Sequence, residues 1–275
     1  MSEHHARPAV ASKVAAVTLG FWILKILATT LGETGGDWLT MSLGLGYGLG
    51  VLVLGGVLAA TLAGQLAVRR FHRGLYWSVI LATSTAGTAI SDFMDRTLGL
   101  GYLRGALLLA VALAAVLGVW FAVERNVSVD LIRSRRTEVF YWAAILVGNT
   151  LGTALGDYLA DGLGLGFAAG AALTGAVIAA AALAWRFTAA SPVLLFWVAF
   201  VATRPFGATF GDLLTKPRGE GGLELGTGGA SVVLATLLVV GLWVQAAAQR
   251  RRLSAPNARS RRGRADGTGL AGSGR

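Results

Sequence analysis

Long apolar runs dominate the chain, and they come in pairs. One member of each pair is almost wholly apolar: residues 46–68, 102–123, 166–185 and 229–248. Each holds about 20 residues, enough to cross a ~30 Å hydrocarbon core at 1.5 Å per residue. The other member is mixed, with a polar position returning every fourth residue. In the first such segment these positions are Lys25, Thr29, Glu33 and Asp37. Residues four apart share one slowly drifting helix face. The matching positions are Ile80, Ser84, Thr88 and Asp92, then Ile145, Asn149, Thr153 and Asp157, then Phe200, Arg204, Ala208 and Asp212. The pattern predicts four polar-striped helices, shorter than the four apolar ones. It lacks the alternation over about ten residues that a membrane β-barrel strand needs.

The pairs are copies of one unit. FWILKILATTLGETGGDWLTMSLGLGY from Phe21, YWSVILATSTAGTAISDFMDRTLGLGY from Tyr76 and YWAAILVGNTLGTALGDYLADGLGLGF from Tyr141 align without a gap. FWVAFVATRPFGATFGDLLTKPRGEGGLELG from Phe196 joins them after a five-residue insertion. Trp22, Trp77, Trp142 and Trp197 fall in register, as do Gly32, Gly87, Gly152 and Gly207, and Asp37, Asp92, Asp157 and Asp212. Spacings of 55, 65 and 55 residues also divide the chain into two similar halves. Two helices per unit bring every unit in from the same side, the parallel-repeat arrangement. The expected fold is an all-α integral membrane protein. Its eight transmembrane helices form four parallel two-helix repeats around a pseudo-axis along the membrane normal. Residues 1–13 are read as a cytoplasmic tail, 14–248 as the transmembrane domain (repeats about 14–70, 71–125, 136–188 and 191–248), and 249–275 as a disordered basic tail.

Composition narrows the chemistry. Only 14% of residues are charged and 55% are hydrophobic, against about 25% charged in soluble domains. Cysteine is absent, and His4, His5 and His72 lie outside the apolar runs. That excludes disulfides, thiolate sites and a histidine cage within the membrane. No P-loop or dinucleotide fingerprint occurs, no cofactor is expected, and no intramembrane nucleophile system points to an enzyme. The net charge of +10 is a topology signal rather than a nucleic-acid one. Eighteen of the 24 Lys and Arg flank the repeats, and four (Arg96, Arg104, Lys216, Arg218) fall at loops inside them. This bias places both termini in the cytoplasm of an inner-membrane protein, so the aspartates lie toward the outer side. The run 14–31 reads as a retained first span rather than a cleaved signal. The Arg-rich tail suits solvent or anionic lipid.

Lipid cannot accept the polar stripes, since an ionised side chain at a helix centre costs roughly 2.5–3.5 kcal/mol even on lenient scales. Four first helices turned inward would hide them together. Glu33 and four aspartates would then face Lys25 and Arg204, a net charge of −3. Plainer readings stand beside this one. An Asp after Gly can cap a turn, Lys25 and Glu33 can be a structural ion pair, and Arg204 can satisfy a carbonyl freed by Pro205. Asp95 and Asp161 read as solvated loop residues, the four tryptophans as packing anchors, and the glycines at 32, 35 and 36 as close-packing positions.

KILATTLGETGGD, the fourfold Trp–Gly–Asp pattern and the LGLGY openings resemble the bacterial membrane-anchored proteins described as tandem repeats of unknown function. The resemblance covers about residues 13–248. It implies paired transmembrane segments with a characteristic tryptophan and assigns no activity.

The residues themselves suggest a carrier or channel for a cation, divalent or proton-coupled. Glu33, Asp37, Asp92, Asp157, Asp212, Thr29 and Asn149 would line the path, with Lys25 and Arg204 as counter-charges. Oxygen ligands suit hard ions such as Mn²⁺, Mg²⁺ or Ca²⁺, and Glu33 with Asp37 are the first candidates to hold a metal. The alternatives are a small-anion transporter using Lys25 and Arg204, and a membrane scaffold that transports nothing. The lipid bilayer is the expected partner, and a homo-oligomer is compatible with the sequence.

Overall fold

A computed structural model describes residues 12–254. Residues 1–11 and 255–275, which include His4, His5 and most of the basic tail, lie outside the described part. The described residues form eight α-helices and no strand: α1 Leu19–Asp37, α2 Gly46–Ala67, α3 Arg73–Asp92, α4 Tyr102–Glu124, α5 Arg135–Asp157, α6 Gly166–Phe187, α7 Pro192–Thr215 and α8 Thr227–Ser254. The chain divides into two units, 1–238 and 239–275. The first holds α1–α7 and the start of α8. In the second, the described residues continue α8.

Six helices are long and apolar enough to cross a membrane: α2, α4, α5, α6, α7 and α8. They mark a multi-pass membrane protein. α1 and α3 fall short because their polar stripes dilute the apolar signal, yet those stripes are buried. The first helices are not uniformly the shorter ones: α5 has 23 residues and α7 has 24, against 22 for α6. Both start early, at Ser134 and Ser191, whose hydroxyls accept from the N–H of Thr137 and Leu194. Such caps satisfy otherwise orphaned N–H donors.

The four striped helices pack as a closed ring: α1 on α3, α3 on α5, α5 on α7, and α7 back on α1. Each apolar helix leans on the striped helix of the next repeat, α2 on α3, α4 on α5 and α6 on α7. α8 completes the series, with Ser231 Oγ donating to Thr34 Oγ1 of α1 at 2.9 Å. α2 buries only Gly50, Leu54, Leu58 and Gln65 and leaves Leu49, Leu52, Val53 and Val57 exposed, a surface suited to acyl chains.

Helix–helix crossings in a membrane favour small residues, and the repeat glycines serve this end. A Cβ on Gly32, Gly87, Gly152 or Gly207 would meet atoms of Ser84, Asn149, Arg204 or Thr29 respectively, at 2.1 to 3.2 Å. Each glycine therefore seats the stripe residue of the adjacent striped helix. Gly36 seats Thr88 in the same way, whereas Gly35 faces Leu31 and Ser231 at an ordinary 4.0 Å.

Three striped helices continue into five-residue π-helical extensions, Trp38–Ser42, Phe93–Thr97 and Tyr158–Gly162. Each ends in LGLG, and both glycines take φ near +70° with nothing within 4 Å of a Cβ. Backbone conformation, not space, selects glycine there. Repeat 4 carries Glu224 at the first of these places, at φ 60°. A left-handed non-glycine residue costs roughly 1–2 kcal/mol. Glu224→Gly should therefore raise the unfolding free energy by about 1 kcal/mol, read as a higher melting temperature in detergent.

Candidate functional site

The ring brings the stripes together in layers. At one end lie Asp37, Asp92, Asp157 and Asp212, all at most 6% exposed. One turn in lie Glu33, Thr88, Thr153 and Ala208, then Thr29, Ser84, Asn149 and Arg204, then Lys25, Ile80, Ile145 and Phe200. All of these are buried. At the far end lie Phe21, Tyr76, Tyr141 and Phe196 with the repeat tryptophans. Tyr76 and Tyr141 share a 2.6 Å hydrogen bond, and Phe21 and Phe196 lie 6.4 Å apart. Trp77, Trp142 and Trp197 are buried and Trp22 is half-buried, as packing anchors.

Two bases occupy the aspartate layer. Arg96 Nε lies 3.2 Å from Asp92 and Nη2 lies 3.6 Å from Asp157. Lys216 Nζ lies 3.1 Å from Asp37 and 3.4 Å from Asp212. Burial alone would lower the Lys216 pKa, but the carboxylates of Asp212 and Asp37 outweigh it and hold the ammonium above the ordinary lysine range. The sequence pattern places both bases at loops, and the structure brings them onto the aspartates. The signal was present: each follows its repeat aspartate by four residues, the spacing that faces one side of a helix. Repeats 1 and 3 carry Met41 and Asp161 instead. With these bases counted, five carboxylates face Lys25, Arg204, Arg96 and Lys216, a formal net charge of −1 rather than −3.

Deeper in, the partners also differ from expectation. Lys25 does not pair with Glu33. Its Nζ donates to Asn149 Oδ1 at 3.2 Å and sits 4.1 Å from the Phe200 ring centroid. Asn149 in turn donates to Thr83 Oγ1 at 3.0 Å. Glu33 is taken instead by Arg204, whose Nη2 lies 2.9 Å from Glu33 Oε2. Arg204 does not fold back on its own helix at Pro205; it crosses to α3, where Nη2 also reaches Thr88 Oγ1 and lies 3.5 Å from the Ser84 carbonyl. Thr29 Oγ1 donates to backbone carbonyls, among them Thr203 O at 3.1 Å. Asp95 is buried rather than solvated: Ser91 Oγ donates to it at 3.5 Å, and it packs on Gly105. Asp161 is exposed, as expected.

One carboxylate oxygen from each of Glu33, Asp37 and Asp212 lies within 4.8 Å of the others. A cavity of about 550 Å³ opens beside them, lined by Arg96, Asp161, Asp212, Lys216 and Glu220 among others. Oxygen donors so grouped can hold a hard cation.

The family model described as Repeat of Unknown Function (DUF347) matches residues 20–71, 75–126, 140–191 and 195–251. The chain belongs to this family. Neither the curated proteins nor the solved structures offer a match. Each DUF347 repeat thus supplies one ring helix, one aspartate at its end and one peripheral helix. Among the described residues, the bases that bridge the aspartates come from the second and fourth DUF347 repeats.

Proposed function

We propose that this DUF347 protein is an eight-span inner-membrane carrier, with both termini cytoplasmic, that moves an inorganic cation along the axis of its four-helix ring. The carboxylate group of Glu33, Asp37 and Asp212 carries the reading. Lys216 places its ammonium against Asp37 and Asp212, where a bound metal ion would sit, so it acts as a tethered stand-in for the substrate. An arriving cation displaces it, and the exposed Asp161 and Glu220 at the cavity mouth draw that cation in. The aromatic layer closes the opposite end, so the path is open to one side only. Mn²⁺, Mg²⁺ and Ca²⁺ are the candidates that suit an all-oxygen site.

Flux of these ions into proteoliposomes tests the reading. Asp37→Asn and Glu33→Gln should each abolish it. Unchanged flux in both would refute the carrier, and altered melting with no flux in any form would leave a scaffold. Lys216→Gln removes the internal competitor and should lower the half-saturating cation concentration roughly tenfold, equivalent to about 1.4 kcal/mol.

A further inference from the structure

The charge in the middle of the ring does not balance. Two formal positive charges, on Lys25 and Arg204, are fully buried there, and among the described residues Glu33, one layer nearer the aspartates than Arg204, is the one carboxylate that reaches either of them. It engages Arg204 through Nη2. Lys25 has no carboxylate within ion-pair distance among the described residues; Asn149 and the Phe200 ring are its partners.

Donors are in excess as well. An arginine has five N–H groups in a fixed fork. Here Nη2 is engaged, while Nε and Nη1 are buried without a partner. Ser84 Oγ and Thr153 Oγ1 are also buried and without one. Arg204 touches the backbone beside both hydroxyls. Arg204 Nη2 lies 3.5 Å from the Ser84 carbonyl. The Arg204 stem packs on Gly152, where a Cβ would stand 2.3 Å from its Cγ, and Thr153 is the next residue along α5. Three side chains from three ring helices thus bring unused donors to a region of surplus positive charge. Buried polar groups are almost always paired, and the missing partner here is an acceptor carrying negative charge.

We propose that the middle of the ring binds one small monovalent anion of chloride size, held by Arg204 Nε and Nη1 and by the hydroxyls of Ser84 and Thr153, with Lys25 as a further counter-charge. The crossings at Gly32 and Gly152 are filled by the Ser84 hydroxyl and the Arg204 stem, so the ion proposed is a small, monatomic one. The site does not depend on the cation reading, since its ligands are distinct from the three clustered carboxylates.

The test uses the purified full-length protein in detergent, with sodium gluconate replaced stepwise by sodium chloride or bromide at constant ionic strength. Melting temperature should rise saturably with chloride and bromide, and not with sulfate. Ser84→Ala and Thr153→Val remove one donor each at nearly constant shape. Both should melt like the parent in gluconate but need several-fold more chloride for half-saturation. The double variant Glu33→Gln/Arg204→Gln, which leaves no buried partner stranded, should lose the response. Identical melting in gluconate and chloride would overturn the proposal and leave water as the occupant. A saturable chloride effect unaltered in both hydroxyl variants would overturn it too, by placing the ion elsewhere.

Discussion

Glu33→Ala is expected to destabilise the protein by about 3–5 kcal/mol, the range for a buried pair that loses one partner. Arg204 is fully buried and cannot shed its proton. Without Glu33 its guanidinium keeps only Thr88 Oγ1 and the Ser84 carbonyl. The reverse change, Arg204→Leu, strands Glu33 and should cost a similar amount. Replacing both, Glu33→Ala with Arg204→Leu, should cost clearly less than the two single losses added, because neither member of the pair is then left buried without the other. Reversible unfolding of the four proteins in detergent completes the cycle. If the double variant is as unstable as the sum of the singles, the two residues act independently and the crossing from α7 to α1 is not what holds Arg204.

Gly207→Ala should destabilise nearly as strongly, although it adds one methyl group. A Cβ there meets Thr29 Oγ1 at 2.7 Å, Thr29 Cβ at 2.8 Å and the Thr29 carbonyl carbon at 2.9 Å. The last is backbone, so α1 and α7 must separate. Overpacking of this kind costs typically 1–3 kcal/mol, and the shift here also disturbs the neighbouring Glu33–Arg204 pair. Gly55→Ala and Gly56→Ala are the controls. They sit within α2 with nothing within 4 Å of a Cβ, and alanine is the better helix former by about 0.8–1.0 kcal/mol. They should be neutral or stabilising. Thermal melting that ranks Gly207→Ala with these two would mean that the ring is looser than its glycine contacts indicate.

Much of this arrangement was legible in the chain itself. Four aspartates in register with four tryptophans announced the repeat, and a polar stripe at every fourth residue announced a helix face that lipid would reject. The apolar helices begin within two residues of where the pattern puts them, three of them at or next to the last glycine of LGLG. The pairing inside the ring was not legible. Lys25 and Glu33 lie two turns apart on one helix, so spacing suggested their union. Glycine at 207 and 211, however, packs α7 closely on α1, and Arg204 meets Glu33 across that seam. Asp95 looked like a loop residue because its extension, Phe93–Thr97, is π-helical and carries it inward. A stripe of period 3.6 gives no warning of such a turn.

The placement of Arg96 and Lys216 bears on how the bundle can deform. Arg96 ties α3 to α5, and Lys216 ties α7 to α1. Between α1 and α3, and between α5 and α7, no such ionic tie spans the aspartate layer among the described residues. Four similar staves are therefore stitched along two opposite seams and left unstitched along the other two. Any widening at that mouth that keeps the stitches intact must part the staves within each half of the chain, along one direction only, so a fourfold barrel would breathe as an ellipse.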